Sequence, residues 1–378
     1  MKRLTLYQDS FLWIKAKYGL IYNTRNSRSY EFPLNHSLHD VCQKLLDYKN
    51  LYSVIIDESD LTISRFATVI EGMGMGVVSE EGDYTVSFPP LLCLPQDRRV
   101  KKGEYRYEDL MSSLFSICFY MGGMGWTEDY YLQTLYPSSF ESFIEPKDIK
   151  LFIENNAIPD NVEIKIVFSN IASYPNIEEV LRLFKERRNM ITIYVRFDDF
   201  GYSLLKEKIQ SYGFKVVILC KDTNRERLCE LQRASKNALI SYITSQSEML
   251  DEVKYVPLFN GSNFDFFYKE VFLTKDEVIK SSLSKRMIFA HQVLNTHYFG
   301  KLIVLPNKNV YSNPNKEALG TIETPVLKLI ATEFSKNYSW RSIRNSEKCQ
   351  ECLYQGLCPS PTFYEEIMHV DCVMANNE

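Results

Sequence analysis

The chain has 378 residues, 45 % of them hydrophobic, and a formal net charge of −4. That length and apolar content are enough for two or three domains with continuous cores, and the slight acidity argues against general adhesion to nucleic acid. No run nears the roughly 20 apolar residues a membrane-spanning helix needs, and the start MKRLTLYQDSFLWIKAKYG, broken by polar residues, is a poor signal peptide.

Nine cysteines, an odd number with several isolated in apolar strands, fit reducing cytosol. A cytoplasmic chain without membrane insertion is therefore expected. The 25 tyrosines and 23 phenylalanines are first of all core material, and secondarily candidates for lining a peptide groove.

In chain order, FLWIKAK and GLIYNTR, parted at Gly19, and SRSYEFP after a polar turn read as three strands. Leu38, Val41, Cys42, Leu45 and Leu46 then recur at helical spacing. Ile63, Phe66, Ala67 and Ile70 mark a second helix ending at GMGMG, and VVSEEGDYTVSF reads as a terminal hairpin turning at Glu81, Gly82 and Asp83. Residues 1–95 make one module. Arg28, Tyr30 and Phe32 share one parity of the third strand, with Phe66 and Ile70 on the later helix beside it. The plainer reading is that Phe32, Phe66 and Ile70 form the module's core. Neither helix has a dense Lys/Arg face, and Asp57, Glu58 and Asp60 precede the second, so DNA binding is not expected. His36 and His39 read as an exposed pair at a helix start.

A charged linker, 96–109, leads to LFSICFYM, EIKIVFSN, MITIYVRFDD, FKVVILCK, ALISYITS and VKYVPLF. These strand-like runs alternate with helical stretches such as IEEVLRLFKERR and YSLLKEKIQSYG. Strands buried on both faces with crossover helices imply a parallel α/β sheet over 110–260. Six units suit a partial barrel, with a doubly wound sheet as the alternative. The Gly122-Gly123-Met124-Gly125 turn lacks the spacing of a phosphate-binding loop. Asp198-Asp199 and Glu178-Glu179 suit strand-end solvation and helix-start electrostatics. Cys220 and Cys229 stand alone, no Ser/His/Asp set can be assembled, and no catalytic residue is assigned.

Residues 261–300 read as a bridge with a modest basic patch at Lys280, Lys285 and Arg286; His291 and His297 lie within it without a metalloprotease arrangement. A hairpin, KLIVLPNKNVYSNPNKEALGTI, follows, then the helix in TPVLKLIATEFSKNYSWRSIRNSEKC, expected to brace the next loop with Trp340 packed. That loop is EKCQECLYQGLCPSP. Cys349, Cys352 and Cys358 fall in it, and Cys372 lies fourteen positions beyond the third. Two thiols separated by two residues can turn back onto one ion, and the longer interval returns a third. Tetrahedral zinc and a 4Fe-4S cubane both accept four such ligands, so spacing leaves the metal open. His369 and Asp371 lie close to Cys372.

The Cys-x2-Cys-x5-Cys run with a later cysteine resembles the second auxiliary iron-sulfur site of the SPASM extension in radical S-adenosylmethionine (radical SAM) peptide maturases. The hairpin at 301–322 resembles the one that opens that extension, although Asn313 stands where the family has a cysteine. The loop after the first barrel strand, MGGMGWTEDYYLQTLYPSSFES, has none of the three cysteines a radical SAM cluster requires. The chain therefore resembles a pseudo-radical SAM accessory protein of Bacteroidales-like peptide-maturation systems.

That resemblance implies an α/β protein in three parts. These are an N-terminal winged-helix module similar to a RiPP recognition element, a partial parallel (β/α)6 radical SAM-like barrel, and a SPASM/twitch-like cysteine-rich domain over 301–378. It implies a noncatalytic protein that binds the leader of a ribosomally made precursor as an added strand, with Arg28, Tyr30, Phe32, Phe66 and Ile70 as the candidate peptide-binding residues, and presents it to a radical SAM maturase. It favours one 4Fe-4S cluster over zinc at the four cysteines and no radical SAM cluster. The alternatives are a peptide-modifying enzyme using non-radical chemistry and a metal-stabilised structural or regulatory protein.

Overall fold

The computed structural model describes residues 1–378 apart from 84–85, 95–103, 105, 123–141, 169–170, 172–173, 197–210, 222–237, 245–253, 337–338, 371, 373 and 375–378. Asp198-Asp199, Cys229, most of YSLLKEKIQSYG and Gly123 to Gly125 lie outside the described residues.

The N-terminal part has six strands, β1 (Lys2–Leu6), β2 (Ser10–Ile14), β3 (Tyr18–Asn23), β4 (Arg28–Pro33), β5 (Ser53–Ile56) and β6 (Gly76–Glu80). Helices α1 (His36–Leu46) and α2 (Leu61–Gly72) flank β5. The sequence-expected meander is present as the antiparallel sheet β2-β3-β4. A second sheet, ordered β5-β1-β6, was not expected from the sequence. Its central strand is KRLTL, with Leu4 and Leu6 fully buried. The expected terminal hairpin gives way to it. β6 pairs with β1, Leu4 opposite Val78, and the described residues 86–90 are not strand. Pairing along β1 satisfies the β6 backbone while covering the buried leucines, which a lone hairpin would not do.

Both helices bury the faces their spacing predicts, Leu38, Val41, Cys42 and Leu45 on α1 and Ile63, Phe66, Ala67 and Ile70 on α2. They start at side-chain caps: Asn35 accepts from the Leu38 N–H, and Asp60 from the Thr62 and Ile63 N–H groups. His36 and His39 are exposed on the first turn of α1.

The middle is a parallel sheet of β7 (Ser116–Tyr120), β8 (Glu163–Phe168), β9 (Ile191–Arg196), β10 (Lys215–Lys221), β11 (Ala238–Thr244) and β12 (Lys254–Pro257). Strand order follows chain order throughout. A doubly wound sheet reverses its order at a switch point; this one does not, and so has the winding of a partial barrel. Alternate residues sort to its two faces. Ile117, Phe119, Ile164, Ile166, Phe168 and Ile193 pack in one core with residues of α3 (Tyr107–Met111), α4 (Pro146–Asn155) and α5 (Ile177–Lys185). Cys118, Tyr120, Val167 and Tyr194 form a separate cluster on the opposite, inner face. Glu178 and Glu179 occupy the first turn of α5, where the helix dipole favours them.

β13 (Lys301–Val304) joins this sheet parallel to β7, and β14 (Asn309–Tyr311) and β15 (Gly320–Thr321) continue it antiparallel. The bridge holds α6 (Lys275–Lys280) and α7 (Lys285–Val293); the C-terminal part adds α8 (Val326–Lys336), α9 (Glu347–Glu351) and α10 (Phe363–Met368). The basic patch of the bridge is engaged: Lys280 pairs with Asp276 at 3.5 Å and Lys285 with Asp9 at 2.8 Å. No helix among the described residues is long and apolar enough to cross a membrane.

The three parts are packed on one another. The face of β2-β3 turned away from α1 and α2 presents Phe11, Leu20 and Tyr22, which cluster with Val278, Leu283 and Ile288 of the bridge and with Leu353, Tyr354 and Leu357. Tyr22 fixes the bridge: its hydroxyl donates to the Ser281 carbonyl at 2.5 Å and accepts from the Leu283 N–H at 2.8 Å.

Candidate functional site

Helix α9 delivers the first cysteines. Ser346 caps it by accepting from the Cys349 N–H at 3.3 Å, and Cys352 ends it, its N–H bonded to the Cys349 carbonyl at 3.2 Å. The chain then turns back, with the Cys358 N–H on the Tyr354 carbonyl at 2.9 Å. Cys349 and Cys358 are buried, Cys352 and Cys372 half-buried.

Burial raises the Cys352 thiol, a backbone bond from Tyr354 opposes it, and the charges of Cys372 and Cys349 raise it further. Cys358 is pushed up to about 12, by burial first; Arg344 opposes this, while Glu365, Cys352 and Cys349 add to it. Cys352 thus feels the charges of Cys349 and Cys372, and Cys358 those of Cys349 and Cys352. Among the described residues, no group of three or more His, Cys, Asp or Glu side chains is gathered as a metal site. The donor chemistry still fits a thiophilic metal: burial and mutual repulsion oppose four thiolates, and a bound cation offsets both.

One buried ion pair ties these segments together. Arg344 makes a fork on Glu365, at 2.8 Å and 3.0 Å, with both side chains under a tenth exposed. Its Nε donates to the Pro359 carbonyl, and Gln355 donates to the Arg344 carbonyl at 2.7 Å. Glu365 also accepts from the Thr362 N–H at 3.0 Å and so caps α10, which leads to Cys372. Arg344 therefore reaches the chain before Cys349, just after Cys358 and ahead of Cys372.

His369 is exposed as the left-handed C-cap of α10, φ 54°, and borders an open cleft of about 380 Å³ with Cys349 and Arg344. Asp371 lies outside the described residues. Asn313 is fully buried; it accepts from the Asn315 N–H at 2.9 Å and donates to Glu366 at 2.9 Å. The position at which the resembled family has a ligand is here a turn residue tied to α10.

The second place is the edge of the N-terminal sheet. β3 alternates its backbone bonds: the Lys15 N–H reaches the Tyr18 carbonyl, and the Leu34 N–H reaches the Lys17 carbonyl. With the observed register, Arg28, Tyr30 and Phe32 bond to β3 while Ser29, Glu31 and Pro33 face outward. Among the described residues, β4 has no strand on that side. Its edge offers the N–H groups of Ser29 and Glu31 and three carbonyls, and ends at Pro33, which has no N–H.

Of the five residues expected to touch a peptide, Phe32, Phe66 and Ile70 are buried at 2 %, 2 % and 0 % exposure. They form the core behind the edge, because α2 closes directly on the sheet. Arg28 is exposed and Tyr30 half-buried, stacked on Phe32 at 5.4 Å between ring centroids. Sequence parity groups these residues correctly but does not say which face is sealed.

The two places are in contact. The Tyr354 hydroxyl, between Cys352 and Cys358 in the chain, bonds Glu31 of β4, and Lys275 lies 3.5 Å from Glu31 and 4.9 Å above the Tyr354 ring. Lys15 donates to the Gln350 carbonyl. A Cβ on Gly356 would lie 2.7 Å from the Trp13 ring, so the cysteine loop approaches β2 as closely as a glycine permits. Nothing in the sequence pairs Glu31 with Tyr354, 323 positions apart.

No protein-family model and no curated protein matches the sequence. Among solved structures, the chain is similar to crystal structures of SuiB from Streptococcus suis. With SuiB bound to S-adenosylmethionine the TM-score is 0.43 at 11 % identity, covering 97 % of this chain and 96 % of that one. With SuiB bound to its precursor peptide SuiA it is 0.42 at 12 % identity, covering 97 % of each. With SuiB itself it is 0.42 at 12 % identity, covering 96 % of each. These ligands are SuiB's.

Proposed function

We propose that the chain is a peptide-binding accessory protein that takes a ribosomally made precursor as an added strand on β4 and presents it to a partner radical SAM maturase. The observation that carries this reading is the outward row of Ser29 and Glu31 N–H groups and Ser29, Glu31 and Pro33 carbonyls, with no strand beside it among the described residues. An extended peptide gains main-chain hydrogen bonds there, and side chains at the edge add selectivity. The cysteine-free loop after β7 supports a role without reductive cleavage of S-adenosylmethionine. Cys349, Cys352, Cys358 and Cys372 would hold one metal centre, a 4Fe-4S cluster or zinc, which would brace the loops that back the recognition sheet.

The test combines the purified chain with a precursor and a maturase from neighbouring genes. Binding of the precursor by the chain, and a mass change in the precursor only once the maturase is added, are expected. A mass change with the chain alone would indicate an enzyme of non-radical chemistry. Failure to bind either partner, under reducing and metal-replete conditions, would remove the accessory role. Iron, sulfide and zinc analysis after anaerobic purification identifies the centre; stoichiometric zinc without iron or sulfide, even after reconstitution, rejects the cluster.

A further inference from the structure

The inner face of the parallel sheet does not fill its own interior. A cavity of about 350 Å³ lies against it, bordered by Cys118 and Tyr120 of β7, Lys165 of β8, Lys301 and Ile303 of β13, and Phe363 at the start of α10. That volume lies within the range of about 300–1,000 Å³ typical of small-molecule sites. Its wall is mostly apolar and aromatic, yet it contains two lysines and neither an aspartate nor a glutamate among the described lining residues.

Lys165 is central to it. The register sets Lys165 beside Cys118 and Cys118 beside Ile303, so an ammonium, a thiol and an aliphatic side chain share one layer of the inner face. One partner of Lys165 is Glu163, at 3.2 Å, whose other oxygen accepts from Thr192 at 2.8 Å. An ammonium has three donors, so this contact leaves capacity for a further acceptor. Burial works against the charge of Lys165, but Tyr194 and Glu163 outweigh it and the group stays protonated. A charged donor with remaining capacity beside a mostly apolar cavity favours a ligand with an anionic head and an apolar body, because an ion pair away from bulk water is weakly screened.

We propose that this cavity is a binding site for a small monocarboxylate with an aromatic or branched apolar body, its carboxylate on Lys165 and its body against Tyr120, Ile303 and Phe363. Tyr364, adjacent to Phe363 on α10, closes the site toward β12 through its hydroxyl on the Pro257 carbonyl at 2.5 Å. The site is separate from the β4 edge and does not depend on peptide binding there.

Calorimetric titration of the full chain with phenylacetate and with phenylacetamide tests it, because the two probes share ring and size while the amide replaces the anionic acceptor oxygen with a neutral donor. Phenylacetate is expected to bind at least about tenfold more tightly, as a charged hydrogen bond in a low-dielectric site requires. Lys165→Met should reduce phenylacetate to the level of the amide, and Lys165→Arg should retain the preference. Cys118 reports the location: saturating phenylacetate should slow its alkylation by iodoacetamide, read by mass spectrometry on the peptide between Arg106 and Lys147, which contains no other cysteine. Equal affinity for acid and amide in the unmodified chain, absence of phenylacetate binding, or unchanged Cys118 alkylation would overturn the assignment.

Discussion

Glu333 seats the start of the cysteine-rich region from inside α8. Only 1 % exposed, it accepts from the N–H groups of Ser339 and Trp340 at 2.8 Å and 2.7 Å and from the Ser312 hydroxyl at 2.5 Å. A carboxylate in the apolar phase of that helix was visible in LIATEF, but its three partners were not, because they come from residues before and after the helix. Glu333→Leu is expected to cost about 3 kcal/mol, since it strands two buried N–H groups, and to lower the unfolding midpoint in urea. Trp340 was legible as a packed residue: it is fully buried among Phe299 and Phe334, its ring N–H on the Lys301 carbonyl at 3.0 Å. His297 supplies a pH dependence. Its pKa is lowered from 6.5 by burial first and then by Lys301, with Arg344 and His291 acting the same way and Glu365 against. The unfolded chain therefore takes up a proton below its ordinary pKa that the folded chain resists, and stability falls as pH drops through that window. Urea midpoints between about pH 7 and about pH 5 should fall less steeply in His297→Asn; an identical slope would show that His297 does not contribute.

At the level of elements, helices were easier to place than strands that pair at a distance. The faces of α1 and α2 followed from a 3.6-residue repeat, which needs no knowledge of partners. The sheet β5-β1-β6 joins KRLTL to SVII and GVVSE, with paired residues 48 to 78 positions apart, and each strand is too short to declare its pairing. The monotonic strand order of the barrel was likewise a question of neighbours. The β4 edge gives a direct test at this scale. Ser29→Pro removes an outward N–H while leaving the bonds to β3 intact, because Ser29 does not donate to β3 in this register. Precursor affinity measured by fluorescence anisotropy is expected to fall about fivefold to tenfold, the equivalent of one hydrogen bond, with thermal stability little changed. Ser29→Ala should bind as the unmodified chain does. Equal affinity in Ser29→Pro would move the peptide elsewhere.

Across the whole molecule, the cysteine loop and the β4 edge share a boundary that neither sequence motif announces. Tyr354 lies two residues after Cys352 and reaches Glu31, while Gly356 lets the same loop lie on Trp13. A metal held by the proposed centre would fix the loop and with it the back of β4, and linkage would require the reverse: a strand bound on β4 would tighten the hold on the metal by the same factor. Precursor affinity is expected to be about tenfold higher in the metal-loaded chain than after chelation, within the usual range of coupling energies. Removal of the metal by a chelator should in turn be slower in the presence of precursor. Tyr354→Phe retains the ring and all four cysteines but loses the bond to Glu31. It should keep full metal stoichiometry while the two affinities become closer to independent. Precursor affinity that is the same with and without metal in the unmodified chain would make the shared boundary a packing contact only. Metal loss in Tyr354→Phe would instead place the hydroxyl among the supports of the centre itself.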